Sequence, residues 1–75
     1  MYAIVLVSPG NPVEVTTYPT DLAAYRAFGR MGVDKWSTEA HILSLETKKV
    51  EQIKMYIDGE EDIIVLIDNP VAAMV

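Results

Sequence analysis

Ala40-His41-Ile42-Leu43-Ser44-Leu45-Glu46-Thr47-Lys48-Lys49-Val50-Glu51-Gln52-Ile53-Lys54-Met55-Tyr56-Ile57-Asp58-Gly59 is the stretch on which the fold turns. Two readings compete for it. Ser37-Thr38-Glu39-Ala40 can cap one long helix running to Ile57, or residues 39–45 can form a strand whose inner end is buried on both faces. The strand is preferred, because one continuous helix would put Leu45 and Val50 out of phase with a single apolar stripe, and Thr47 looks like a fresh cap. On that reading residues 48–58 form a separate helix. Val50, Ile53 and Ile57 mark its buried face, Tyr56 supports them, and Gly59 stands where a helix commonly ends in a left-handed residue.

Outward from this stretch, Tyr2-Ala3-Ile4-Val5-Leu6-Val7 is a continuous apolar run rich in β-branched residues, the pattern of a strand buried on both faces. Ser8-Pro9-Gly10-Asn11-Pro12 stops it, with Pro9-Gly10 suited to the centre of a type II turn. Residues 13–18 then alternate, Val13, Val15 and Thr17 against Glu14, Thr16 and Tyr18, which predicts a half-exposed strand and a hairpin. Pro12 favours the sheet edge for it. A helix follows, capped by Thr20 or Asp21, with Leu22, Tyr25, Phe28 and Met31 as its buried stripe and Gly32 just past its end. On the other side, Glu60-Glu61-Asp62 reads as an acidic loop and residues 63–67 as a second fully buried strand. Asp68-Asn69-Pro70 is a turn, and residues 71–75 are a short apolar tail.

The expected order is therefore β-β-α-β-α-β. The expected fold is α+β, a two-layer sandwich of a four-stranded sheet with two helices packed on one face. Residues 2–7 and 63–67 would be central and 13–18 an edge. The other sheet face would stay half-open, a place where a small domain dimerises or docks.

Composition narrows the function. The chain has 75 residues, 51% hydrophobic, with 6 Lys+Arg against 11 Asp+Glu and a net charge of -5. That is one domain, residues 1–75, too apolar for intrinsic disorder and of the wrong sign for a phosphate-binding surface, so no direct nucleic-acid contact is expected. A domain this small buries a modest fraction of its surface and often gains support from association. It has no cysteine and a single histidine, His41, so disulfides, thiolate metal sites and His-rich sites are excluded, and no cofactor or metal is expected. No basic segment precedes the first apolar run, and the apolar runs are too short to span a bilayer, which predicts a soluble, cytoplasmic protein. Residues 46–68 hold seven acids and three bases, and residues 1–45 hold four and three, so the negative charge gathers toward the C-terminal third.

Few residues carry chemistry. Asp58, Glu60, Glu61 and Asp62 form an acidic cluster that suits a basic protein surface or imitates nucleic-acid phosphates; a solvated loop that aids solubility has the same composition. The cluster lacks the alternating ligands of a calcium loop, and Glu60 with Glu61 implies no pocket for acid–base work. His41 has no nucleophile elbow near it, and Ser37 and Ser44 lack flanking glycines. The Ser8–Asn11 turn has one glycine and no lysine and fails the phosphate-loop pattern. Trp36 lies among Asp34, Lys35, Ser37 and Thr38, as either a hot-spot residue or a rim residue over the core end. Tyr18, on the outer face of the predicted edge strand, joins it as a contact candidate. The methionines are expected as core fillers.

In size and acidity the chain resembles many small bacteriophage-encoded proteins, a generic likeness that covers no motif. It implies binding to, and inhibition of, a host enzyme or defence complex. The expected function is a non-enzymatic protein-interaction module, a small acidic binder or inhibitor of a larger protein with a basic surface. Its partner-contact residues would be Asp58, Glu60, Glu61, Asp62, Trp36 and Tyr18. The alternatives are a self-assembling structural or regulatory subunit, a homodimer through the open sheet face, and a small-ligand-sensing accessory domain of ferredoxin-like type.

Overall fold

The computed structural model describes residues 1–66, so Ile67, the turn expected at 68–70 and the tail at 71–75 lie outside the described residues. The elements are β1 (Tyr2–Val7), β2 (Glu14–Tyr18), α1 (Asp21–Arg30), β3 (Glu39–Ser44), β4 (Lys49–Ile57) and β5 (Glu60–Val65). They build one five-stranded sheet in the order β2-β1-β3-β4-β5, with every neighbouring pair antiparallel. One helix lies on one face of the sheet.

The class is α+β, but the four-stranded sheet with two helices is overturned. Residues 49–57 are the longest strand, not a helix. The reason lies in a bulge. Ile42 pairs with Gln52 and Leu43 with Val50, so Glu51 is an extra residue in β4. Val50 and Ile53 therefore share a face although they are three apart, a spacing that strands do not otherwise show and helices do. The apolar pattern beyond the bulge, Ile53, Met55, Ile57, has a period of two.

Two positions also change. Residues 39–45 do form a strand, β3 at Glu39–Ser44, and it rather than 63–67 is central. The apolar run at 63–65 belongs to β5, an edge strand whose six residues are all exposed. The other edge is β2, as the Pro12 argument required. At the β1–β2 turn the Asn11 N–H donates to the Ser8 carbonyl at 3.0 Å and Gly10 has φ 83°, the type II geometry that Pro9-Gly10 predicts.

Thr20 caps α1, its hydroxyl accepting from the Ala23 N–H at 3.2 Å. The helix packs on β1, β2 and β3 and leaves most of β4 and β5 uncovered. Its buried residues are Ala24 and Phe28; Tyr25 is half-buried, and Leu22, expected in the stripe, is exposed. Ile4, Ala40, Ile42 and Val33 complete the core. Ala24 and Ala40 are both fully buried, and their small side chains let the helix lie close to the sheet.

Candidate functional site

The antiparallel register divides the sheet into two ends. One end carries the β1–β2 turn, residues 31–38 after the helix, and the β4–β5 turn; the other carries Met1, Tyr18 and the β3–β4 turn. Asp58 and Gly59 make the β4–β5 turn, both left-handed at φ 52° and 84°, closed by the Ile57–Glu60 pair. This is a two-residue type I′ hairpin. The acidic residues expected in a loop are thus a turn, Asp58, followed by the first half of β5. Glu60 and Asp62 point to the sheet face away from the helix. Glu61 points to the helix side, where its Oε2 accepts the Val33 N–H at 3.1 Å. It ties the edge strand to the segment that follows α1.

Trp36 stands at the same end and is 72% exposed. The Lys35 ammonium lies 5.1 Å from its ring centroid, a cation–π contact. Asp34 organises this loop. Its Oδ1 accepts the N–H groups of Trp36 at 2.7 Å and Ser37 at 3.0 Å, and those donors hold its carboxyl below the ordinary value. A cleft of about 410 Å³ opens nearby, lined by Leu6, Ser8, Pro12, Glu14 and Ser37 among others. The fold therefore gathers Asp58, Glu60, Glu61, Asp62 and Trp36 at one end of the sheet. Tyr18 is apart from them. It pairs with Tyr2 at the opposite end, half-buried and packed against the core.

Two polar clusters escaped the sequence reading. The bulge turns Glu51 to the helix side, where its carboxylate accepts the Tyr2 hydroxyl at 2.9 Å and the Tyr25 hydroxyl at 2.6 Å. Tyr2 is raised above its ordinary pKa chiefly by that hydrogen bond, and Tyr25 chiefly by burial with Glu51 adding to it. Lys54, 4% exposed, donates to the Phe28 and Met31 carbonyls, the latter at 2.8 Å, and its ammonium lies 4.7 Å from the centroid of the Phe28 ring. A cation at the last carbonyls of a helix complements its dipole. Both clusters face their own fold and hold α1 to the sheet. Their signals were a charge at each inward position of a strand misread as a helix.

The face away from α1 is different. Val5, Val15, Leu43, Ile53, Met55 and Ile64 lie on it across all five strands, and no described element covers it. His41 stands at its centre, on the middle strand, with Nε2 3.8 Å from Glu39 Oε1 and without a hydrogen-bond partner. Among the described residues no group of three or more His, Cys, Asp or Glu side chains is placed to hold a metal, and no helix is long and apolar enough to cross a membrane. No family model, no curated protein and no solved structure matches this chain.

Proposed function

We propose that the chain is a non-enzymatic protein-interaction module of the cytoplasm, a small acidic binder of a larger protein with a basic surface. The observation that carries it is β5. This edge strand is acidic over Glu60-Glu61-Asp62, apolar over Ile63-Ile64-Val65, and exposed throughout. Its outer edge has a row of backbone donors and acceptors that no strand among the described residues satisfies. An extended segment of the partner, basic at one end and apolar at the other, can add to that edge, with charge setting register and rate of encounter. Trp36 at the same end supplies a large rigid contact. Such a contact on a host enzyme or defence complex would inhibit it, as the likeness to small phage proteins implies. The absence of cysteine fits a reducing compartment.

The test is capture of a partner by the tagged protein and by the double variant Glu60→Lys/Asp62→Lys, with circular dichroism to confirm the fold. Glu61 is left intact because it holds Val33. The expected result is a stoichiometric partner retained by the parent protein at low salt and lost both in the variant and at higher salt. Equal retention by the variant removes β5 as the contact. The apolar sheet face favours a second reading, a self-associating subunit, and that surface leaves the β5 edge open.

A further inference from the structure

We infer that the cleft between the β1–β2 turn and the loop after α1 is an anchor site for one arginine side chain of the partner. The inference rests on the reading of the chain as a binder of a basic surface and adds a second contact to the β5 edge. Its ground is a shaped cleft, walls held by the fold itself, and a lining with acceptors and no cation.

The cleft has a volume of about 410 Å³, within the range of about 300–1,000 Å³ usual for small-ligand sites. Its floor is Leu6, half-buried and packed against the core. Glu14 is the cross-strand neighbour of Leu6 on β2, so the two share the helix side of the sheet. Pro12 and Val13 add apolar wall, and Ser8, Asn11 and Ser37 add hydroxyl and amide groups. The walls are tied down from within. The Thr38 N–H donates to the Val7 carbonyl at 3.0 Å, and the Ser8 and Ser37 hydroxyls lie 3.0 Å apart. The Asn11 N–H closes the turn on the Ser8 carbonyl, and Asp34 holds the Ser37 N–H. A site already shaped loses little ordering entropy when it is filled.

The lining selects the occupant. No lysine, arginine or histidine lines the cleft, and Glu14 has neither a hydrogen-bond nor an ion-pair partner among the described residues. One carboxylate, two hydroxyls and a carboxamide over an apolar floor make a site rich in acceptors and negative. It repels an anion, and a purely apolar group leaves its acceptors unmatched. An arginine side chain matches both parts. Its stem covers Leu6, Pro12 and Val13, and its planar head forks onto the Glu14 carboxylate with N–H groups left for the serine hydroxyls. The rim from Asn11 to Glu14 is exposed, so the side chain enters from the surface of a larger molecule. The cleft opens at the same sheet end as Trp36 and Asp58, where one basic surface meets all three.

The experiment is a two-dimensional nitrogen–proton NMR titration of the full chain at constant ionic strength. The probes are N-acetyl-arginine amide and its neutral analogue N-acetyl-citrulline amide. Saturable shifts of the Ser8, Asn11, Glu14 and Ser37 amides are expected with the arginine probe, with a Kd of about 1–10 mM, and none with citrulline. Glu14 is exposed, so Glu14→Gln keeps the fold, and it should raise that Kd about fivefold. Glu60→Lys/Asp62→Lys should leave it within about twofold, because β5 lies four strand spacings from β2, about 19 Å, beyond the screening length. The inference is overturned by an absence of saturable shifts up to about 50 mM, by equal shifts with the two probes, or by a Kd unmoved in Glu14→Gln. A captured partner without the arginine titration strikes the cleft alone. The arginine titration without any captured partner strikes the binder reading and leaves the guanidinium site standing.

Discussion

Glu51 is the residue whose environment most departs from its sequence surroundings. It lies between Val50 and Gln52 on a strand, yet its carboxylate reaches two tyrosine hydroxyls, one from β1 and one from α1. Hydrogen bonds to a charged group contribute more than neutral ones, and stranding two half-buried hydroxyls adds to the loss. Glu51→Ala is therefore expected to cost about 2 kcal/mol, measured as the shift in urea unfolding. The same contact sets a pH dependence. Tyr2 and Tyr25 titrate at higher pH in the fold than their ordinary 10.0. Folding thus favours the protonated phenols. Stability from this source is fully present below about pH 10 and is lost as the pH climbs through the raised folded values. Urea midpoints at pH 9, 10 and 11 should fall in the parent protein and fall less steeply in Tyr25→Phe; equal slopes would assign the alkaline loss to other groups. None of this was legible beforehand. A glutamate on a solvated helix and a glutamate on a bulge look alike in sequence.

At the scale of elements, β1, β2, α1 and β3 were legible because their signals are local: an apolar run, a Pro-Gly turn, a Thr-Asp cap, and an apolar stretch at 39–45 out of phase with Val50 for one continuous helix. β4 was not. Its bulge places Val50 and Ile53 on one face at a helical spacing, and Thr47 and Gly59 mimic a helix cap and stop. The deciding clue was present in Asp58-Gly59, the strongest dipeptide signal for a two-residue hairpin. The candidate site shifted with it, since the acidic loop became an edge strand. The turn makes its own prediction. Gly59 has φ 84°, so Gly59→Ala should destabilise the hairpin by about 1 kcal/mol. No neighbouring atom closes on an added Cβ, so the cost is conformational. Asp58→Asn, which tolerates the left-handed region as well, should be near neutral, with thermal melts of both variants as the measurement.

For the whole molecule, order is distributed unevenly. Ala3, Ile4, Ala40 and Ile42, all buried, lie on β1 and β3, whereas β5 has no buried residue. Local opening follows that gradient, so amide hydrogen exchange should be slowest in β1 and β3 and faster in β5 by on the order of 100-fold. Uniform protection across the five strands would count against it. The gradient also explains why a continuous apolar run such as Ile63-Ile64-Val65 was misplaced: composition reports how much burial a strand can use and not which element will supply it. The position of β1 between β2 and β3 has one more consequence, and it concerns synthesis. β3, β4 and β5 are joined by short turns, and so are β1 and β2, but β1 meets β3 across the chain, Tyr2 opposite Ser44 and Val7 opposite Glu39. A ribosome adding about 5–20 residues per second delivers β3 some seconds after β1. During that interval the β3-facing edge of β1, a strand whose six residues are all apolar, has no mate of its own, and another nascent chain on the same message is the nearest source of one.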